Sequence, residues 1–98
     1  MQNRDEMVAT LKEQLDRWNA DVTRWEGQAK AATAEARKRY AEDLKALQAR
    51  REEALYNLKL LENASASAWS EFARGAEEAA VRMREAVAKA RTHFEKKA

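Results

Sequence analysis

The sequence has no cysteine and no proline, two glycines (Gly27 and Gly75) and a single histidine, His93, in 98 residues. Without cysteine there are no disulfides and no thiol chemistry, and nothing marks the redox compartment. One histidine with no cysteine cannot assemble a zinc site of the usual ligand types. A di-iron bundle needs two Glu-x-x-His motifs, whereas residues 90–93 read Ala-Arg-Thr-His. His93 therefore reads as an exposed side chain near a helix C-terminus, where its charge suits the helix dipole. Nucleophilic catalysis needs a nucleophile, a base and an orienting group, and Ser65, Ser67 and Ser70 lie far in sequence from His93. No glycine-rich loop follows a strand, so nucleotide binding has no support. The expectation is a protein that is not an enzyme and needs no cofactor or metal.

Long apolar runs are also missing. The mean hydropathy is −0.86, and no stretch approaches the roughly 20 apolar residues of a membrane span. The opening residues Met1 to Glu6 carry no apolar signal core. The expected location is the cytoplasm. An excess of one charge is lacking as well: 19 basic residues face 17 acidic ones, as on an interleaved, solvated helix face. Arg37-Lys38-Arg39, Arg50-Arg51 and Lys96-Lys97 are basic clusters. Glu35, Glu42, Asp43, Glu52 and Glu53 interrupt them, where a nucleic-acid binder would concentrate charge on one face. No specific nucleic-acid contact is expected.

What the chain does have is alanine, glutamate, lysine, arginine and leucine, the composition of long helices and coiled coils. Apolar or small residues recur at helical spacing from end to end. Val8, Leu11, Leu15, Trp18, Val22, Trp25, Ala29, Ala32 and Ala36 step by three and four, the seam of a left-handed coiled coil. Tyr40, Leu44, Leu47, Arg51, Ala54, Leu58 and Leu61 continue it, with two consecutive four-steps around Tyr40 acting as a stutter. Ala68, Phe72, Ala76, Ala79, Met83, Val87, Ala90 and Phe94 have a spacing closer to an eleven-residue repeat. Pairs such as Glu13–Arg17, Glu26–Lys30, Glu35–Arg39, Glu78–Arg82 and Glu85–Lys89 place acid before base at i,i+4, each adding about 0.2–0.5 kcal/mol to an exposed helix.

The best break in this pattern is Asn63-Ala64-Ser65-Ala66-Ser67, the one cluster of small, cap-competent residues between apolar stretches; Ser65 or Ser67 would N-cap the next helix. A helix continuous through it remains an alternative, because the seam crosses without a phase jump. A break at Gly27 would make a three-helix bundle, but strong helix formers flank the position, Ala29 to Ala41 above all. The expected fold is all-α. A first helix runs over about 4–62 (about 90 Å), a turn over about 63–67, and a second helix over about 67–96 (about 45 Å). Together they form an antiparallel coiled-coil-like hairpin. Leu44, Leu47, Leu58 and Leu61 would pack against Trp69, Phe72, Met83 and Val87, with Leu55, Tyr56 and Leu60 making that half apolar on several sides. Gly75, beside Ala76 and Ala79, would allow close helix approach within the hairpin.

Such a hairpin leaves the first half of the long helix uncovered. Leu11, Leu15, Trp18, Val22 and Trp25 would form an exposed stripe, the kind that marks an interface. Closed two-fold pairing with a second copy is the simplest cover, with Ala29, Ala32 and Ala36 permitting close approach. A homo-oligomer, a dimer in the first place, is thus the expected partner arrangement.

The chain has Leu11-x-x-x-Leu15-Asp16-x-Trp18-Asn19-Ala20 near its start, an alanine-rich charged middle, and Ala68-Trp69 followed by Gly75, Glu77 and Ala80. In these residues it resembles a family of small bacterial coiled-coil proteins described as stress-response or coiled coil domain-containing. The family often has a Gly- or Asp-containing turn before the Ala-Trp step, where this chain has Ser65-Ala66-Ser67. The resemblance implies a helical hairpin without enzyme activity and a stress-related or scaffold role. Taken with the residues, it makes a self-associating structural or interaction protein the first reading. A lipid-surface protein that lays an amphipathic helix on a membrane, best served by the second helix, is the alternative. An accessory subunit of a larger complex is another, with a further protein as partner.

Overall fold

A computed structural model describes residues 4–95, and among them the chain is entirely helical, with short connections. There are three helices: α1 Arg4–Ala31, α2 Ala34–Glu62 and α3 Trp69–Phe94. This corrects the two-helix hairpin. A single helix over residues 4–62 would be about 88 Å long, but the molecule is 51 Å in its longest dimension. Gly27 lies inside α1 with open space around it, so the additional break is elsewhere, at Ala32 and Thr33.

Thr33 makes that break. Its backbone is extended (φ −63°, ψ 161°), and its hydroxyl accepts a hydrogen bond from the Ala36 N–H. This is the N-cap arrangement that satisfies an otherwise orphaned helical donor. The Arg37 guanidinium reaches back to donate to the Ala32 carbonyl at 3.2 Å, covering one of the acceptors that the end of α1 leaves free. The second turn is held by polar side chains. Asn63 donates through its amide to the Lys59 carbonyl, and the Ser65 hydroxyl accepts from the Ala68 N–H. Neither serine caps α3, which begins at Trp69 with Ala68 before it and no side-chain cap. The second-helix start at residue 67 moves accordingly. Its expected end at Lys96, like the Lys96-Lys97 cluster, lies outside the described residues.

The helices run up, down and up. Lys12 pairs with Glu62, and Gln48 donates to Glu26, so α2 is antiparallel to α1. Arg82 pairs with Glu53 and His93 meets Asp43, so α3 is antiparallel to α2. The Arg91–Asp21 and Arg24–Glu95 pairs then set α3 parallel to α1.

The core is continuous in three tiers. At one end Met7, Leu61 and Ala76 are buried, with Val8, Leu11, Trp69 and Phe72 packed against them. In the middle lie Leu15, Ala54, Leu58 and Ala79. At the other end Val22, Trp25, Leu47, Met83, Val87 and Ala90 are joined by Phe94. There the helices contribute one ring each to a stack. Phe94 lies 5.5 Å from Trp25 and 4.2 Å from Tyr40 between centroids, nearly parallel to both.

Candidate interaction surfaces

The residues expected to wait for a second copy are largely enclosed by the chain's own helices. Leu15, Val22, Trp25 and Ala29 are buried, and Leu11, Trp18, Ala32 and Ala36 are half-buried. Once the chain turns at Thr33, α2 and α3 cover the stripe, and the uncovered surface that motivated dimerisation through the first helix is gone. Of the hairpin residues, Leu47, Leu58, Leu61, Met83 and Val87 are buried, while Leu44, Trp69 and Phe72 are half-buried. Trp69 packs on the Met7–Leu61 tier with the Arg4 guanidinium 4.9 Å above its ring. Gly75 is at a close approach of α3 to α2, since a Cβ there would stand 3.1 Å from the Asn57 amide oxygen.

The polar groups singled out in the sequence are engaged between helices, within helices and in the turns. His93 Nδ1 is 2.5 Å from Asp43 Oδ2, and the two differ in exposure: the Asp43 side chain is 8% exposed and that of His93 51%. Spacing alone does not single out Asp43, although an acid one step from the Tyr40–Leu44–Leu47 seam has to be partly enclosed. His93→Ala should strand that carboxylate and cost about 1–3 kcal/mol, whereas an exposed, unpaired His93 would make the change neutral; urea denaturation compares the two chains. Ser65 and Ser67 bond to each other in the turn. In the basic clusters, Arg50 pairs with Glu53, Arg51 donates to Asn19, and Arg37 closes the first turn. Asp21, Arg24, Arg91 and Glu95 form a linked set across one end of the α1–α3 seam. Among the described residues, no group of three or more His, Cys, Asp or Glu is placed to hold a metal, and no helix is long and apolar enough to cross a membrane.

Open surface remains at the other end of the same seam, as it does between α1 and α2 around Ala29, Ala41 and Leu44. A groove of about 300 Å³ runs between α1 and α3, with Met7, Thr10, Leu11 and Gln14 on one wall and Glu77, Ala80, Val81 and Arg84 on the other. Val81 is 42% exposed at its lip. On the outside of α2, Leu55 and Tyr56 are 44% and 63% exposed. Neither Val81 nor the groove is legible from seam spacing, since Val81 is off the seam and the groove exists only because α1 returns beside α3. Compared with known proteins, the chain matches no family model, no curated sequence and no solved structure.

Proposed function

We propose that this is a non-enzymatic structural and interaction protein that works by helix–helix association, a second copy being the first partner. The observation that carries the reading is the open half of the α1–α3 seam. Its far end is tied by Arg91–Asp21 and Arg24–Glu95, while its near end presents Leu11 and Val81 along a channel floored by Met7 and edged by Glu77 and Arg84. A helix laid in that channel would complete a four-helix arrangement, a common way for three packed helices to bury a remaining apolar edge. The stress-related or scaffold role implied by the family resemblance, and the cytoplasmic location, stand beside this reading as part of the proposal.

The lipid alternative has lost its best surface to the core. Ala76, Ala79, Met83, Val87, Ala90 and Phe94, the apolar face of α3, are all buried in the bundle. Lipid binding would require the bundle to open.

Sedimentation velocity over a concentration series tests the proposal. The parent chain should show reversible self-association. Val81→Glu, which puts a charge into the channel, should weaken it at least tenfold while leaving the melting temperature within a few degrees, because exposed-site changes stay within about 0.5 kcal/mol. Association unaffected by Val81→Glu would remove the groove from the reading. Co-sedimentation with anionic vesicles, together with loss of the native melting transition, would favour the lipid alternative.

A further inference from the structure

We infer that the Ala32–Thr33 junction is a hinge that straightens, so that two copies of the chain exchange α1. Each resulting bundle combines α1 of one copy with α2 and α3 of the other. The inference deepens the association reading by naming how a second copy is engaged. It rests on that reading for the partner alone and uses a surface different from the α1–α3 groove.

Five of the eight residues from Ala29 to Ala36 are alanine, and none is glycine or proline. No described residue has positive φ, so no residue at the junction is committed to a conformation a helix forbids. A continuous helix would give the N–H groups of residues 33–36 their ordinary acceptors four residues back. The closed turn substitutes the Thr33 hydroxyl for one of these and holds the Ala32 carbonyl with Arg37. What keeps the junction shut is therefore local and small, and such short interhelical hinges are the usual site of exchange between copies.

The α1 side chains that touch α2 through polar contacts include Arg4, Lys12, Asn19 and Glu26, the last three of them seven residues apart. On α2 the partners of those three are Glu62, Arg51 and Gln48. Glu26 and Gln48 are 22 residues apart, close to six turns at about 3.6 residues per turn. In a straightened helix both sets fall on one face. A hairpin turn imposes no such agreement between the faces of the helices it joins. One straight partner helix lying along a straight first helix does impose it.

The Arg4–Glu62, Lys12–Glu62, Asn19–Arg51 and Glu26–Gln48 pairs are centred on residues 33, 37, 35 and 37. With the junction straight, the same pairs form between two antiparallel copies whose two-fold axis passes Ala36. Ala29, Ala32 and Ala36 have side chains small enough for that crossing. Every contact between helices in the closed chain recurs in the exchanged dimer, and only the two junctions differ.

Two substitutions push the junction in opposite directions. Thr33→Ala removes a cap that exists only in the closed form, twice per dimer, and should tighten dimerisation about tenfold or more. Ala34→Pro suits the closed form: residue 34 is the first of α2, where proline is favoured, and the extended backbone of Thr33 is what a following proline requires. The same proline breaks a continuous helix.

The full chain and each variant would be unfolded in denaturant, refolded at low and high protein concentration, and examined by sedimentation velocity and circular dichroism. The parent should yield a dimer at high concentration with the helix content of the monomer, Thr33→Ala more of it, and Ala34→Pro a monomer of undiminished stability. Chains carrying Lys12→Cys, refolded with chains carrying Glu62→Cys, should give a heterodimer joined by a short bis-maleimide cross-linker. Exchange is overturned if the parent and Thr33→Ala stay monomeric at every concentration, if Ala34→Pro dimerises like the parent, or if no cross-linked heterodimer forms. Val81→Glu separates the two surfaces. Dimers lost through Val81→Glu and kept by Ala34→Pro belong to the groove, and the opposite result belongs to the hinge.

Discussion

Trp25→Ala is expected to destabilise the chain by about 3–5 kcal/mol, the range for large aromatic side chains removed from packed sites. For a domain of this size that lowers the melting temperature by about 15 °C or more. Trp25 is 0% exposed and touches the tier formed by Leu47, Met83 and Val87. Its ring lies 5.5 Å from that of Phe94. Its indole N–H is buried without a partner, so part of what the ring contributes by packing is already offset, and the lower half of the range is the better figure. Trp18, one heptad earlier and half-buried, should cost less. The pair of measurements separates two architectures. If the stripe sat between copies, both tryptophans would matter for association and the distal hairpin would keep its helix content. In the three-helix bundle, Trp25→Ala should lower the whole helical signal in one transition and leave the sedimentation coefficient of the folded fraction unchanged. A two-step melt with half of the helix content surviving would sink the bundle.

This contrast shows which parts of the fold the sequence discloses. All-α architecture is legible because three- and four-residue steps continue from Val8 to Phe94, and no strand pattern competes. The Asn63–Ser67 turn is legible because small, cap-competent residues cluster there, although the apolar spacing crosses it without a phase jump. The Thr33 turn is not, since its signals cancel. Thr33 is a β-branched, cap-competent residue, but alanines surround it and Glu35 and Arg39 mimic an ordinary i,i+4 pair. Intrinsic preference across Ala29–Ala36 favours helix. The closed form wins through burial instead: turning there lets α2 and α3 enclose Leu15, Val22 and Trp25, which together outweigh the few backbone hydrogen bonds a straight helix would gain. Tertiary packing overrides local preference here; because the exchanged dimer keeps the same packing, only the local contacts at the junction separate the two forms.

The interaction surfaces divide in the same way. Spacing places Trp69 near Leu58 and Leu61, and it lies on the Leu61 tier. Leu47, Met83 and Val87 share one tier of the core, with Leu44 packed against it. Val81 and Asp43 escape spacing because each depends on which helix lies next to α3 and α2, a fact set by the Thr33 turn. His93 near the helix C-terminus is legible as exposed. Its pairing with Asp43 is not, for the two are 50 residues apart and meet through the antiparallel register of α2 and α3.

Phe94 should prove the other residue on which the fold depends, although it stands at the last turn of α3, where fraying usually makes substitutions cheap. It is 7% exposed and lies between the rings of Tyr40 and Trp25, so it joins all three helices in one stack. Phe94→Ala is expected to cost about 3–5 kcal/mol. Gentler changes isolate the stack itself. Phe94→Leu and Tyr40→Leu keep apolar volume and remove the ring–ring contact, so each should cost less than its alanine counterpart. The two together should fall short of additivity by about 0.5–1.5 kcal/mol, the usual coupling of an aromatic pair. Urea unfolding of the four chains of this cycle measures it. Strict additivity would mean that the rings are not in contact in solution. An unchanged midpoint for Phe94→Ala would mean that α3 ends before residue 94 and that the far tier closes without it.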